Sequence, residues 1–188
     1  MLDICLLGTG GMMPMPSRFL TAMLARLNGR LALIDCGEGT QVTMKMLGWG
    51  FKAIDVICFT HFHADHISGL PGLLLTIGNA GRTEPLTLIG PVGLQRIVEG
   101  LTLIAPELPF PIEYIELTQD APNPISVGAF EIHHCPADHM VKCFAYRIDL
   151  KRKGKFDVKK AERLKLPKPL WNKLQKEGSV EHEGKTYT

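Results

Sequence analysis

The sequence predicts a mixed α/β sandwich, and three features carry that expectation. Short apolar runs of strand length alternate with helical patterns through the first half of the chain. From residue 112 onward the pattern becomes strand-rich. Between them, His61, His63, Asp65 and His66 crowd into one stretch directly after a buried-looking apolar run. Alternation followed by strand-rich chain fits packed sheet and helix layers better than a doubly wound sheet.

The elements follow in order. Residues 2–7 are apolar and stop at Gly8-Thr9-Gly10-Gly11, a strand feeding a tight loop. Residues 19–27 and 31–34 are apolar runs joined at Asn28-Gly29. That dipeptide is a strong hairpin signal, because both of its residues must take positive φ. Residues 38–47 read as a short helix, opened by an acid and closed by Gly48. Residues 54–59 are nearly all apolar, as expected of a strand covered on both faces. Residues 68–77 should be a buried helix, 86–89 a strand, and 92–104 a helix with an apolar stripe. A proline-rich stretch from Pro106 to Pro124 brackets a strand at 112–117. Residues 125–135 and 142–148 look like antiparallel strands.

Residues 1–150 therefore form one expected domain, and residues 151–188 a separate Lys-rich unit. Charge marks the same boundary. The first 150 residues hold nine Lys/Arg and fourteen Asp/Glu, and the last 38 hold twelve and five. A basic segment beside an acidic body suggests a polyanionic partner, against the blander reading of a solvated tail. No apolar run reaches the roughly 18 residues of a membrane span. The N-terminus has no basic region and cleavage site of a signal peptide. Five cysteines, an odd number without CxxC spacing, read as reduced thiols, so a cytoplasmic location is expected.

The chemistry concentrates at 61–66. Four side chains of metal-ligand type within six residues, on a loop leaving a strand, cannot all be core residues. Imidazole with carboxylate suits zinc and related divalent ions. The i, i+2 spacing lets His61 and His63 point the same way from extended chain, while Asp65 and His66 face a second position as the chain turns into a helix. One loop can thus feed two metals, as in two-metal hydrolysis. A further histidine should complete the first metal. His133, His134 and His139 are candidates, and His139 is preferred because it lies in a loop after a strand. His182 falls in the polar end. Asp35 is read either as a hydrogen-bond acceptor that fixes the metal loop or as the cap of the next helix. The glycine loop lacks GxGxxG and GxxxxGK[ST], which argues against a nucleotide cofactor.

Several strings carry a resemblance. They are Leu7-Gly8-Thr9-Gly10, Asp35-Cys36-Gly37-Glu38-Gly39-Thr40-Gln41, Thr60-His61-Phe62-His63-Ala64-Asp65-His66, Gly69-Leu70-Pro71-Gly72-Leu73-Leu74 and Tyr146-Arg147. On these the sequence resembles the ribonuclease Z family, tRNA 3′-processing endonucleases of the metallo-β-lactamase superfamily. The resemblance implies the αββα sandwich of that superfamily, mainly its N-terminal half, with a basic protruding arm at 151–188 that grips tRNA. It implies two zinc ions. His61, His63 and His139 would bind one, Asp65 and His66 the other, and Asp65 would act on the attacking water. Precursor tRNA is the implied substrate and a homodimer the implied assembly. Leu166-Pro167-Lys168-Pro169-Leu170-Trp171 is similar to the family's Gly-Pro arm motif, with Lys168 where glycine is usual. The family's chains run longer. The resemblance therefore implies an N-terminal part without the bridging aspartate, last histidine and general acid. Such a part is expected to be inactive, to hold at most one zinc well, and to self-associate. Another hydrolase of the superfamily, acting on a small phosphodiester, sulfate ester or thioester, is the alternative. A nucleic-acid-binding module without catalysis stands behind it.

Overall fold

The structure, a computed structural model, describes residues 1–13, 15–105, 107–150 and 156–187. Pro106 and the Lys/Arg-rich residues 151–155, both part of the sequence reading, lie outside the described residues. The chain divides into two compact units, Met1–Leu150 and Lys151–Thr188.

In the first unit, strands β1 (Leu2–Gly8), β2 (Ala22–Leu27), β3 (Arg30–Ile34), β4 (Ile54–Cys58), β5 (Leu86–Pro91) and β6 (Ile112–Leu117) form one sheet in that spatial order. β1 to β3 pair antiparallel, and β3 to β6 pair parallel. The β2–β3 turn is the expected one, with Asn28 at φ 51° and Gly29 at φ 80°. Helices α1 (Thr40–Leu47), α2 (Ala64–Ile67), α3 (Leu70–Asn79) and α4 (Leu94–Leu101) make the parallel connections. A second sheet of β7 (Ile125–Val127), β8 (Phe130–Ala137) and β9 (Cys143–Asp149) is antiparallel throughout.

β4 shows how the layers stack. All five of its residues are buried. Ile54 and Ile57 join the helix-side core with Met44, Leu70, Leu73, Ile77 and Val98. Val56 and Cys58 join the opposite core with Phe130 and Ile132 of the second sheet. Alternation from Val56 to Cys58 therefore feeds two cores at once, one under helices and one between sheets, and the register shift opposite Ile54 and Val56 puts Ile54 on the same side as Ile57. This is the helix–sheet–sheet order of the expected sandwich. Asp55, between the two sets, is neutralised by Arg30 and faces the buried Arg82.

Local departures from the sequence reading have local causes. The helix expected over 68–77 is α3, shifted to Leu70–Asn79, with the separate turn α2 just before it. Between them the Gly69 amide donates to the Cys36 carbonyl at 2.9 Å instead of back along the helix, and a Cβ on Gly69 would lie 2.2 Å from the Gly37 carbonyl oxygen, so that only glycine fits this approach. The strand expected over 125–135 is a hairpin, because Gly128 at φ 55° turns the chain between Val127 and Phe130. The helix expected over 92–104 ends at Leu101 and tightens into a 3-10 turn over Thr102–Ile104. The helix expected from residue 38 starts at Thr40, because Gly39 at φ 88° caps it.

The second unit holds α5 (Val158–Arg163), α6 (Lys168–Glu177) and a hairpin of β10 (Val180–His182) with β11 (Lys185–Tyr187). Its core is small: Ala161, Leu166 and Val180, with partly buried Phe156, Leu170, Trp171, Leu174 and Tyr187 around them. Asp157 caps α5 by accepting from the Lys160 amide. The Trp171 indole donates to the Leu166 carbonyl at 2.7 Å. No described helix is long and apolar enough to cross a membrane.

Candidate metal centre

β4 ends at Cys58, at the carboxyl edge of the parallel strands, where open α/β sheets place their ligand crevices. Phe59 is tied to β5 by its amide on the Ile89 carbonyl, 2.7 Å. From there the chain bends at Thr60 and reaches His63, whose extended φ of −66° and ψ of 148° precede the α2 turn. On this stretch His61 Nε2 and His63 Nδ1 face each other at 3.0 Å. The loop between β8 and β9 brings His139 to them, with ring centroids 4.6 Å from His61 and 5.1 Å from His63. One nitrogen from each of the three lies within 4.8 Å of the others. The α2 turn then presents Asp65 and His66 differently. His66 Nε2 is 3.6 Å from Asp65 Oδ2, and the His61 and His66 rings are 4.0 Å apart. All five side chains line one open cavity of about 970 Å³.

The other histidines go elsewhere. His133 Nε2 sits 3.1 Å from Asp149 Oδ2. The backbone of His134 is held by the Asn123 side chain, and its ring faces the Pro122 carbonyl. His182 is in β10 beside Glu183. Of the two readings of Asp35, the helix-cap one fails, since Gly39 occupies that place without a side-chain bond. Asp35 is 2% exposed. It accepts from the Thr60 amide and hydroxyl, both at 2.8 Å, and lies 2.7 Å from His66 Nδ1. Its φ of 57° places a non-glycine residue in the left-handed region, where a short polar side chain is among the few tolerated.

The electrostatics follow from crowding. Burial, then the neighbouring His66 and His63, pushes the His61 imidazole down to about 4. Burial alone would lower His66, but its bond and charge interaction with Asp35 outweigh this and raise it. Burial alone would raise Asp65, but the Met12 amide, 3.0 Å from Oδ2, and His66 outweigh this and hold it below the usual carboxylate range. Three converging imidazole nitrogens form a donor set for a cation. The 3.0 Å separation of two of them is near the roughly 3.4 Å that nitrogens take around one tetrahedral zinc ion. The residues present therefore fit a divalent metal.

The sequence reading missed the groups that hold this loop. The sequence assigns Thr60 no role of its own, yet its hydroxyl touches Asp35 and His61. The Tyr146 hydroxyl donates to the Phe59 carbonyl at 2.7 Å, and burial pushes its own ionisation far up. Gly37 and Gly69 permit close approach, since a Cβ on Gly37 would lie 2.4 Å from the Asp65 carbonyl. A polar residue beside a candidate ligand was the available signal for Thr60. None existed for the backbone approaches.

A family model described as Anti-Pycsar protein Apyc1 matches residues 2–98. The whole chain is 56% identical, over 188 residues, to ribonuclease Z of Lachnospira eligens, and covers 62% of that protein. The chain thus spans about 62% of the length of the first curated relatives it matches. Among solved structures, human tRNase Z, short form, superposes with a TM-score of 0.68 at 30% identity, covering 79% of this chain and 65% of that one. The metallo-β-lactamase fold protein YhfI from Bacillus subtilis superposes with a TM-score of 0.64 at 19% identity, covering 79% of this chain and 57% of that one, a likeness of fold.

Proposed function

We propose, from the similarity to ribonuclease Z, a metal-dependent endoribonuclease that removes the 3′ trailer of precursor tRNA; by its family model the chain belongs to the family described as Anti-Pycsar protein Apyc1. The observation that carries the reading is the convergence of His61, His63 and His139 within 4.8 Å. These three would hold one zinc ion, and Asp65 with His66 would contribute to a second. Bound there, a divalent cation supplies an electrophile that acidifies water and offsets charge on phosphoryl oxygens.

The chain's own residues do the rest. Asp65 stays ionised at neutral pH, because its carboxyl is held below the usual range. It has acceptor capacity beyond the Met12 amide and can orient an attacking water by accepting its proton. Asp35 and Thr60 keep the imidazoles from rotating out of the cavity. Residues 151–188, with twelve Lys/Arg against five Asp/Glu, would bind the phosphates of the tRNA body without reading sequence. A homodimer and a cytoplasmic location belong to the same reading. Five free cysteines support the second.

The test is cleavage of a precursor tRNA carrying a 3′ trailer by the zinc-loaded protein, with a small aryl phosphodiester as parallel substrate. This chain, about 62% of its relatives' length, is expected to cleave little or nothing, and the protein at its relatives' full length should give tRNA ending in a 3′-hydroxyl, lost on chelation. Hydrolysis of the small diester without tRNA cleavage would favour the small-molecule hydrolase instead.

A further inference from the structure

His61 has two ring nitrogens, and only Nε2 faces His63. The other, Nδ1, lies 2.9 Å from the Thr60 hydroxyl. That hydroxyl is 2.8 Å from Asp35 Oδ2, and the same carboxylate oxygen is 2.7 Å from His66 Nδ1. The Thr60 amide takes up the remaining oxygen, Oδ1, at 2.8 Å.

Proton counting then leaves one arrangement. A carboxylate only accepts, and a hydroxyl has one proton to give. The Thr60 proton therefore goes to Asp35, and its oxygen offers only lone pairs to His61. His61 must carry its proton on Nδ1, which leaves Nε2 bare toward the cavity. His66, facing the same carboxylate, must also be protonated on Nδ1, which leaves Nε2 as the nitrogen it can offer to a cation. Cys143 Sγ is the other group near His61 Nδ1, at 3.9 Å, too long and too weak an acceptor to compete.

We propose that Thr60 is a positioning residue, whose hydroxyl, oriented by Asp35, fixes the His61 tautomer and ties it to His66 through one shared carboxylate oxygen. One buried threonine–aspartate pair thus presets a ligand for each of the two metal positions. The proposal rests on the metal-centre reading above. It goes beyond it by naming what makes the nitrogens available before any ion arrives.

The test compares the full chain with Thr60→Val, which keeps the shape and removes the hydroxyl, and Thr60→Ser, which restores it. Nitrogen-15 spectra of the histidine side chains, recorded metal-free, read the tautomers directly. The wild type should show His61 protonated on Nδ1, the serine variant the same, and the valine variant a mixture. Zinc affinity, by competition with a chromophoric chelator, should fall about 10- to 100-fold in the valine variant and stay near wild type in the serine variant. A wild-type His61 protonated on Nε2 would overturn the proposal even if the valine variant failed to fold. So would valine and serine variants that behave alike. A wild type with the expected tautomer but no zinc uptake would instead sink the metal centre, leaving the hydrogen-bond assignment intact.

Discussion

The first 150 residues and the last 38 solve the same problem on different scales. In the first unit a six-stranded sheet buries residues on both faces, so every central strand is anchored twice. In the second, three buried residues with five partly buried ones around them hold two short helices and a hairpin together. Units below about 40 residues rarely bury enough surface to be firmly stable alone. The contrast teaches where each kind of work can be done. Side chains held to tenths of an ångström need the large core, as the centre at His61 has. A surface that offers positive charge to a polyanion needs only enough core to keep its lysines outward.

The expected effects run from large to small along that contrast. Gly69→Ala should destabilise the first unit by about 3 kcal/mol, the upper range for overpacking, because its Cβ would meet a backbone oxygen. Gly178→Ala in the second unit, with nothing within 4 Å, should cost only about 1 kcal/mol for its positive φ. Urea titration followed by circular dichroism measures both, and equal costs would erase the distinction. His139→Ala should weaken zinc binding by more than about 100-fold, or about 2.7 kcal/mol, beyond the loss from any outer partner. Direct metal analysis after dialysis should find one tightly held zinc per wild-type chain and none in this variant.

Trp171→Ala removes the largest side chain of the small core and its bond to Leu166. About 2 kcal/mol should be lost, less than for a fully buried tryptophan, since Trp171 is only partly covered. Hydrogen exchange should show protection falling over α5, α6 and the hairpin while the six-stranded sheet keeps its own. Tyr146→Phe leaves the Phe59 carbonyl without its partner and should cost about 1 kcal/mol in thermal unfolding. Lys176→Ala should leave stability unchanged and lower the salt slope of tRNA binding by about 0.7 to 0.9, measured by titration across ionic strengths. A slope that does not move would return that segment to a merely solvated surface.

Much of the fold could be read in advance because its signals are local. Asn28-Gly29 named its own turn, and the nearly all-apolar 54–59 run named a strand covered on both faces. Errors came where a glycine serves a distant neighbour. The helix that residues 68–77 favour locally starts only at Leu70, because the Gly69 amide is taken by the Cys36 carbonyl, distant in the chain and adjacent in space. Gly128 similarly hides a turn inside an apolar run.

At the candidate site the sequence by itself determined the inventory: which residue types could hold a cation, and that four of them share one loop. It left Asp35 with two roles and His139 as one of three candidates. Tertiary structure decided both. Pairing of β3 beside β4 carries Asp35 to Thr60 and His66, and the β8–β9 connection carries His139 to His61. The physical reason is range. Propensity and periodicity act over a few residues, whereas a hydrogen bond or a shared cation is set by positions that only a completed sheet brings within 3 Å.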